Sequence, residues 1–314
     1  AAAGSWGSGW TVQPADFDGV RLSDFGNRLT DFFLYNPSTG AWRKAVNNGA
    51  GGFTYFSSTW SPGWQVFIVD FNGDGRSDVF LYNFANGLWF RCTSVGSGTG
   101  DFAYVAGSWS PQWRIHPADL DGNGRTDLFL YSADTGQWFR AMNDGGSGFT
   151  YIAGLWSPGW EITPGDYNGD GRSDLFLYSS ATGQWLVATN TGSDFAYTSD
   201  VWAPQWTVHG GADFDGNGAT DLFVYNRSSG SWFVCLSNGA GAFSYVGGRW
   251  DPGWEVLTGD LNGDRRGDLI LYNSASGVYV QAITVTPGAF TYFGGTWGPG
   301  WRVISPASAV APSQ

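Results

Sequence analysis

The stretch WEITPGDYNGDGRSDLFLYSSATGQWLVATNTGSDFAYTSDVW, residues 160–202, decides the fold. It contains four short apolar runs separated by clusters of Gly, Asn, Asp and Ser, which predicts four strands joined by tight turns. Strand one follows the turn that ends at Trp160, strand two follows Asp174, strand three begins at Gln184 and strand four begins at Phe195. Four antiparallel strands in a unit of this length form the blade of a β-propeller, which buries both of its faces against neighbouring blades.

The same unit recurs six times along the chain. The Asp that opens its acidic segment recurs every 47 residues, at Asp119, Asp166, Asp213 and Asp260. A fixed period of this size is typical of propellers and other repeat folds. We therefore predict an all-β, six-bladed β-propeller of four-stranded antiparallel blades.

The turn that carries two Trp residues occurs seven times, so one copy of strand one is surplus. We expect this strand to close or cap the seam of a six-bladed ring, because a seventh blade would need three further strands. Residues 1–304 are predicted to form this single propeller of six repeats. Residues 305–314, SPASAVAPSQ, have the composition of a disordered, linker-like tail.

The composition excludes several kinds of partner. Aromatic residues make up 18% of the chain and charged residues 13%, and the net charge is -12. With no basic surface to neutralise phosphates, nucleic acid is a poor partner. Because no apolar run approaches the roughly 20 residues that span a bilayer, membrane insertion is not expected either.

The segment between strands one and two has oxygen-bearing side chains at its first, third, fifth and ninth positions, as in DYNGDGRSD at 166–174. A hard cation such as calcium takes 6 to 8 oxygen ligands, and Gly at the sixth position lets the loop turn back sharply. The alternative is a set of Asp- and Asn-rich turns without metal. We favour calcium because 19 of the 25 Asp residues lie in the six loops, where unscreened carboxylates would repel one another.

Four loops match the pattern fully, and two depart from it. Loop six has Arg265 in place of the sixth-position Gly, and loop one is interrupted by an insertion. The predicted calcium ligands are Asp16, Asp18, Asn27 and Asp31 in loop one; Asp70, Asn72, Asp74 and Asp78 in loop two; Asp119, Asp121, Asn123 and Asp127 in loop three; Asp166, Asn168, Asp170 and Asp174 in loop four; Asp213, Asp215, Asn217 and Asp221 in loop five; and Asp260, Asn262, Asp264 and Asp268 in loop six.

These loops, each followed by a strand such as Leu-Phe-Leu-Tyr at 175–178, resemble the FG-GAP (VCBS) repeats of integrin α-subunit propellers and of fungal integrin-like lectins. The resemblance covers nearly the whole chain, and the loop is its most specific part. It implies a calcium-stabilised propeller that is exposed outside the cell and binds carbohydrate or protein.

All 19 Trp residues lie in repeat register, fourteen in the turns and five at the start of strand three. Such regularity is typical of core packing, since Trp fills the space between blades. The topology nevertheless places the turns and the hairpins between strands two and three on the face opposite the acidic loops. Apolar rings beside polar groups suit the faces of a sugar. The representative ligand cluster is Trp138, Trp156, Trp160, Gln137 and Asp134.

Little in the sequence points to catalysis. His116 and His209 occupy the same position of the repeat, and so do the two Glu residues. Each pair is therefore interpreted as variation at one repeat position before a catalytic role is considered. Cys92 and Cys235 also share a small, buried position in opposite blades, too far apart for a disulfide.

We therefore expect a secreted, calcium-stabilised lectin that binds glycans or glycoproteins and is not an enzyme. The alternatives are an extracellular protein-interaction or adhesion module, for which the irregular first loop is the obvious contact, and a carbohydrate-active enzyme or its propeller domain. Secretion follows from the calcium loops, because extracellular sites of this kind are tuned to the high calcium level outside cells.

Overall fold

The computed structural model describes residues 9–19, 31–49, 52–96, 100–146 and 148–297. All 24 regular elements in these ranges are β-strands, and they form six antiparallel sheets of four consecutive strands. The predicted six-bladed propeller of four-stranded blades is confirmed. Each blade is a meander in which strands pair in chain order.

The strands of blades one to three are β1 (Thr11–Ala15), β2 (Asp31–Tyr35), β3 (Ala41–Asn47), β4 (Phe53–Thr59), β5 (Gln65–Val69), β6 (Asp78–Tyr82), β7 (Leu88–Ser94), β8 (Phe102–Ser108), β9 (Arg114–Ala118), β10 (Asp127–Tyr131), β11 (Gln137–Asn143) and β12 (Phe149–Leu155). Those of blades four to six are β13 (Glu161–Gly165), β14 (Asp174–Tyr178), β15 (Gln184–Asn190), β16 (Phe195–Val201), β17 (Thr207–Ala212), β18 (Asp221–Tyr225), β19 (Ser231–Ser237), β20 (Phe243–Arg249), β21 (Glu255–Gly259), β22 (Asp268–Asn273), β23 (Val278–Thr286) and β24 (Ala289–Thr296).

Burial changes from the inner to the outer strands of a blade. The first strands of successive blades contact one another, as β13 does with β9 and β17, so they form the inner edge. The second strand is apolar without alternation because both of its faces are covered, and β14 is buried at every position. The fourth strand forms the outer edge and is largely exposed, as β16 is after Phe195.

The hydrophobic core lies between blades. Each buried cluster joins two neighbours, as where Phe129 and Tyr131 of blade three meet Leu175 and Leu177 of blade four. A single blade has no such partner and is not expected to be stable alone. Bulky strand-two residues therefore hold the ring together as well as the sheet.

Basic side chains on strand three are buried in the same interfaces, which the sequence did not reveal. The Nζ of Lys44 lies 3.7 Å from the ring centroid of Phe102, and the Cζ of Arg140 lies 5.0 Å from that of Phe195. Burial lowers the pKa of Lys44 to about 8. The aromatic faces stabilise these cations where water is excluded.

Candidate cation loops and ligand face

The six acidic loops and the Trp turns lie on opposite faces of the ring, as the meander requires. On the first face the loop between strands one and two meets the loop between strands three and four; Arg76 Nη1 donates to the Gly96 carbonyl at 2.7 Å. On the second face each Trp turn rests on a hairpin between strands two and three, and the backbone N–H of Trp109 donates to the Gly87 carbonyl at 2.9 Å.

The carboxylate of the opening Asp accepts hydrogen bonds from backbone N–H groups of its own acidic loop. In loop three, Asp119 Oδ1 accepts from the N–H of Gly122 and Oδ2 from that of Gly124, both at 2.8 Å. Both glycines have positive φ, 75° and 79°, a conformation that costs Gly little. In loop six, Arg265 stands in place of the second glycine, yet it adopts φ 71° and donates to Asp260 Oδ2 at 2.9 Å.

The closing Asp connects the loop to the sheet. Asp127 is fully buried; its Oδ2 accepts from the N–H of Leu120 at 2.9 Å and its Oδ1 from that of Asn143 at 2.6 Å. Desolvation raises the pKa of Asp127 to about 6 and that of Asp221 to about 7. In every blade the closing Asp accepts hydrogen bonds on both carboxylate oxygens in the same way. The residues whose backbone N–H donates to Oδ1 are Asn47, Ser94, Asn143, Asn190, Ser237 and Thr284.

The predicted ligand sets converge in three of the loops. Carboxylate oxygens of Asp119, Asp121 and Asp127 lie within 4.8 Å of one another. Two oxygens on one calcium ion are at most about 5 Å apart, since each bond is 2.3 to 2.6 Å, so this donor set fits the ion. The equivalent sets are Asp16, Asp18 and Asp31 in loop one and Asp213, Asp215 and Asp221 in loop five. Loop one thus brings its carboxylates together despite the insertion.

Loops two and four arrange their carboxylates differently. Their third position is Asn and their fifth is Asp, and the fifth-position carboxylate pairs with the Arg two residues later. The contacts are Asp74 to Arg76 at 2.5 Å and Asp170 to Arg172 at 2.9 Å. A cation bound to all four predicted ligands would therefore compete with this arginine. In loops three and five, which have Asp at position three, no ion pair to an arginine forms within the described residues.

Neighbouring loops are joined by a reciprocal pair of hydrogen bonds that the sequence reasoning missed. Asp70 N–H donates to Thr126 Oγ1 at 3.0 Å, and Thr126 N–H donates to the Asp70 carbonyl at 2.7 Å. The available sequence signal was the Ser or Thr at the eighth position of loops two to five. The participating hydroxyl residues are Ser77, Thr126, Ser173 and Thr220. Gly267 holds this position in loop six and supplies only its N–H.

On the opposite face, the strand-three Trp belongs to the core. Trp138 is 6% exposed and lies across Gly154 of the same blade, where a Cβ would come within 2.0 Å of its Cζ2. Its Nε1 is buried and has no hydrogen-bond partner among the described residues. This geometry supports a role in core packing for the strand-three Trp.

In the five turns that join consecutive blades, the first Trp is only partly buried. Trp156 packs against Trp138 with ring centroids 5.2 Å apart, and its Nε1 donates to the hydroxyl of Tyr197 in the next blade at 3.0 Å. That tyrosine is about half exposed. The same bond recurs in the pairs Trp60–Tyr104, Trp109–Tyr151, Trp202–Tyr245 and Trp250–Tyr292. Each pair presents aromatic edges beside a hydroxyl group at a blade boundary.

The predicted ligand cluster is therefore divided between core and surface. Trp160 is buried, and its backbone N–H donates to the Tyr131 hydroxyl at 3.2 Å. Gln137 is exposed at the start of β11, and Asp134 is exposed in the preceding hairpin. Of the three Trp residues in that cluster, Trp156 alone retains substantial exposure.

Grooves run between the Trp turn and the next blade. One cavity, of about 370 Å³, is almost wholly apolar and is lined by Trp202, Ala203, Trp206, Phe233 and Tyr245 at the boundary of blades four and five. A second, of about 740 Å³, lies at the same place between blades five and six. It is lined by Arg249, Trp250, Asp251, Trp254, Val280 and Tyr292. These grooves extend the predicted ligand face to residues that the sequence cluster did not include.

The His and Glu residues on the first strands lie in separate blades. His116 is on β9 and His209 on β17, and desolvation lowers the pKa of each to about 4, so both are neutral at pH 7. Glu161 accepts a hydrogen bond from Ser180 Oγ at 2.6 Å, and Glu255 lies 3.6 Å from Arg227. The two carboxylates therefore lie in different blades, and each has a polar partner close to it.

The two thiols are likewise separate. Cys92 lies in blade two and Cys235 in blade five, and both are buried and free. Burial raises the pKa of each well above its usual value, which leaves both protonated.

The sequence matches the FG-GAP-like repeat family over residues 70–130 and 119–177. Each matched segment begins at the opening Asp of an acidic loop and ends in strand two of the next blade. The two matches overlap and together span residues 70–177, about a third of the chain. Among curated proteins, none matches the sequence significantly.

Solved structures share the propeller architecture at low sequence identity. An Agrocybe aegerita lectin with specific recognition of non-reducing terminal N-acetylglucosamine aligns with TM-score 0.68 and 18% identity, over 91% of this chain and 79% of that chain. BBS1N, solved in complex with ARL6DN, aligns with TM-score 0.54 and 11% identity, over 88% and 79%. A dihydro-heme d1 dehydrogenase aligns with TM-score 0.51 and 11% identity, over 89% and 56%. At these identities the likeness establishes the fold alone.

Some sequence predictions fall outside the described residues. They concern the ligand Asn27, the surplus strand after Trp301, and the tail at 305–314. In the described part of the chain, no helix combines the length and apolar character needed to cross a bilayer.

Proposed function

We propose that this protein is a secreted, calcium-stabilised lectin that binds glycans in the grooves between blades on its Trp-rich face. The observation that carries the proposal is the repeated pair of a partly exposed turn Trp and a half-exposed Tyr hydroxyl, such as Trp156 with Tyr197. An apolar ring beside a fixed hydroxyl matches the alternating CH and OH surfaces of a sugar. Five such pairs allow several weak sites to act together on a multivalent glycan.

The likeness to the Agrocybe aegerita lectin supports this reading, because that protein recognises a terminal sugar on a comparable propeller. We extend to this chain the property of glycan binding and leave the identity of the sugar to experiment. The absence of nucleic acid from our proposed partners follows from the net charge of -12.

Calcium is proposed to stabilise the fold and to take no part in chemistry. Asp119, Asp121 and Asp127 would hold the ion in loop three, as would the equivalent residues of loops one and five. When bound, the ion would offset the mutual repulsion of these carboxylates and tie the loop to the buried closing Asp. Extracellular calcium is abundant enough to fill sites of modest affinity, which is the basis for proposing secretion.

The proposal is tested on a broad glycan array with folded protein, in parallel with calcium and with chelator. Binding to a defined terminal sugar would support the lectin assignment, and a lower melting temperature in chelator would support the calcium role. A blank array from calcium-loaded protein would refute glycan binding, and an unchanged melting temperature in chelator would refute the calcium role.

A protein-interaction module is the second candidate, favoured by exposed apolar residues on the outer strands of blades three and four. Leu155 is 69% exposed and Val201 is 60% exposed, and the same two strands carry the half-exposed Tyr151 and Tyr197. Apolar groups of this kind are common at interfaces. Pull-down with β12 and β16 surface variants distinguishes this candidate. A protein partner that the wild-type chain captures and that Leu155→Ser and Val201→Ser lose, together with a blank glycan array, would favour the interaction module over the lectin.

A further inference from the structure

The groove between blades five and six departs from the repeat in its charge. Its turn reads Arg249-Trp250-Asp251, whereas the corresponding turns have uncharged residues on both sides of the first Trp. The residues that precede that Trp are Ser5, Thr59, Ser108, Leu155, Val201 and Thr296, and those that follow it are Gly7, Ser61, Ser110, Ser157, Ala203 and Gly298. In a chain with 13% charged residues, two opposite charges beside one aromatic platform are a specific departure.

The Arg249 side chain and the backbone of the turn at Asp251 are held in place, and both charged groups remain available. Arg249 Nε donates to the Ser229 carbonyl at 3.0 Å, which anchors the guanidinium on the neighbouring hairpin. The Asp251 carbonyl accepts from the Tyr225 hydroxyl at 2.8 Å, which fixes the turn. Among the residues that the structure describes, the Asp251 carboxylate and the Arg249 Nη groups have no hydrogen-bond partner, and both residues line the groove.

The same groove also has more room than its neighbour. Val280 occupies the position that Phe233 holds one blade earlier, and the cavity is about 740 Å³ compared with about 370 Å³. Trp250, Trp254 and Tyr292 supply aromatic surface, and Trp250 Nε1 is fixed on the Tyr292 hydroxyl at 3.1 Å. The smaller groove has Ala203 in place of Asp251 and presents an almost wholly apolar surface.

We propose that the groove between blades five and six is the principal saccharide site and selects a neutral sugar. This inference rests on the proposed lectin function and specifies which groove carries it. The Asp251 carboxylate accepts hydrogen bonds from adjacent sugar hydroxyls, and the Arg249 guanidinium donates to a ring or hydroxyl oxygen. The aromatic rings cover the CH face of the sugar. An acidic sugar is not favoured over a neutral one, because repulsion by the Asp251 carboxylate offsets the attraction of the Arg249 guanidinium for its carboxylate.

The test uses the full chain, calcium-loaded, and isothermal titration calorimetry. The probes are the methyl glycosides of glucose, galactose, mannose and N-acetylglucosamine, with methyl glucuronide as the acidic probe. Asp251→Ser and Arg249→Thr convert the turn to the sequence around Trp60, which has Thr59 and Ser61. Ser157→Ala is the matched control in the turn at Trp156. Melting temperatures establish that each variant is folded.

We expect at least one neutral glycoside to bind, and Asp251→Ser to weaken it about tenfold or more while Ser157→Ala leaves it unchanged. Arg249→Thr provides a second test that leaves the turn backbone untouched. The reverse change, Leu155→Arg with Ser157→Asp, should raise the affinity of the groove between blades three and four and increase the measured stoichiometry.

The outcomes separate this inference from the function on which it rests. Glycoside binding that is unchanged in both Asp251→Ser and Arg249→Thr would overturn the assignment of the groove and leave the lectin function standing. Tighter binding of methyl glucuronide than of every neutral probe would overturn the selection for neutral sugars. If the wild-type protein binds no glycoside and no glycan on the array, the proposed function fails together with the inference.

Discussion

The closing Asp of each acidic loop is expected to stabilise the blade even without a cation. In loop three, Asp127 is fully buried and accepts two backbone N–H groups, at 2.6 and 2.9 Å. A hydrogen bond to a charged group contributes about 1.5–3 kcal/mol. Asp127→Asn keeps one acceptor and turns an NH2 group toward a backbone donor. Relief of the desolvation of the carboxylate offsets part of this loss, which leaves a net destabilisation of about 2–3 kcal/mol.

The matched control is Asp121→Asn in the same loop, since Asp121 is an exposed predicted ligand. In chelator, Asp121→Asn should change the free energy of unfolding by less than about 0.5 kcal/mol, as is usual for surface positions. Asp127→Asn should lower the melting temperature by about 5 °C, at roughly 2 °C for each kcal/mol in a chain of this size. In calcium, both variants should lose metal-dependent stabilisation. Equal melting temperatures for the two variants in chelator would refute the structural role of Asp127.

Three further results are expected. Gly136→Ala should lower the free energy of unfolding by several kcal/mol, because the new Cβ would lie 1.9 Å from the Trp156 carbonyl oxygen. Gly159 also has positive φ but has open space around it, so Gly159→Ala should cost only about 1–2 kcal/mol. Denaturant titrations measure both. Ser173→Ala removes the acceptor of the Asp119 N–H and should cost about 1–2 kcal/mol and weaken terbium binding to loop three, as followed by sensitised luminescence. Unchanged luminescence would contradict coupling between loops. Desolvation lowers the pKa of His209 from 6.5 to about 4, so the folded state binds fewer protons than the unfolded chain and stability falls as pH drops through this window. His209→Gln should remove at most about 3 kcal/mol of this acid sensitivity, and identical pH profiles of the two proteins would refute the burial of a neutral imidazole.

The sequence was sufficient to predict the fold because the repeat multiplies weak local signals. A single apolar run such as 175–178 is ambiguous between a strand and a buried helix. Six copies in register, each followed by the same turn, remove that ambiguity. The order of strands then places the acidic loops and the Trp turns on opposite faces without further information.

The functional geometry was less accessible from the sequence, since it depends on contacts between blades. Regularity alone does not show that Trp138 lies flat on Gly154 while Trp156 keeps an exposed edge. Nor does the loop pattern show that Asp74 pairs with Arg76, although both are conspicuous in the sequence. Comparison of the repeats shows that Arg249 and Asp251 are charged where other repeats are not, but only the structure shows that these two residues line a groove.

The central claim is that glycan binds on the Trp-rich face, and an NMR titration tests it most directly. Isotope-labelled, calcium-loaded protein is titrated with the glycan selected on the array, and the indole N–H signals are assigned by single Trp→Phe variants. We predict that the signals of turn residues such as Trp156 and Trp250 shift with added glycan, while those of the acidic-loop glycines Gly122 and Gly171 do not. Shifts confined to the acidic-loop glycines would place the ligand on the opposite face and contradict the account.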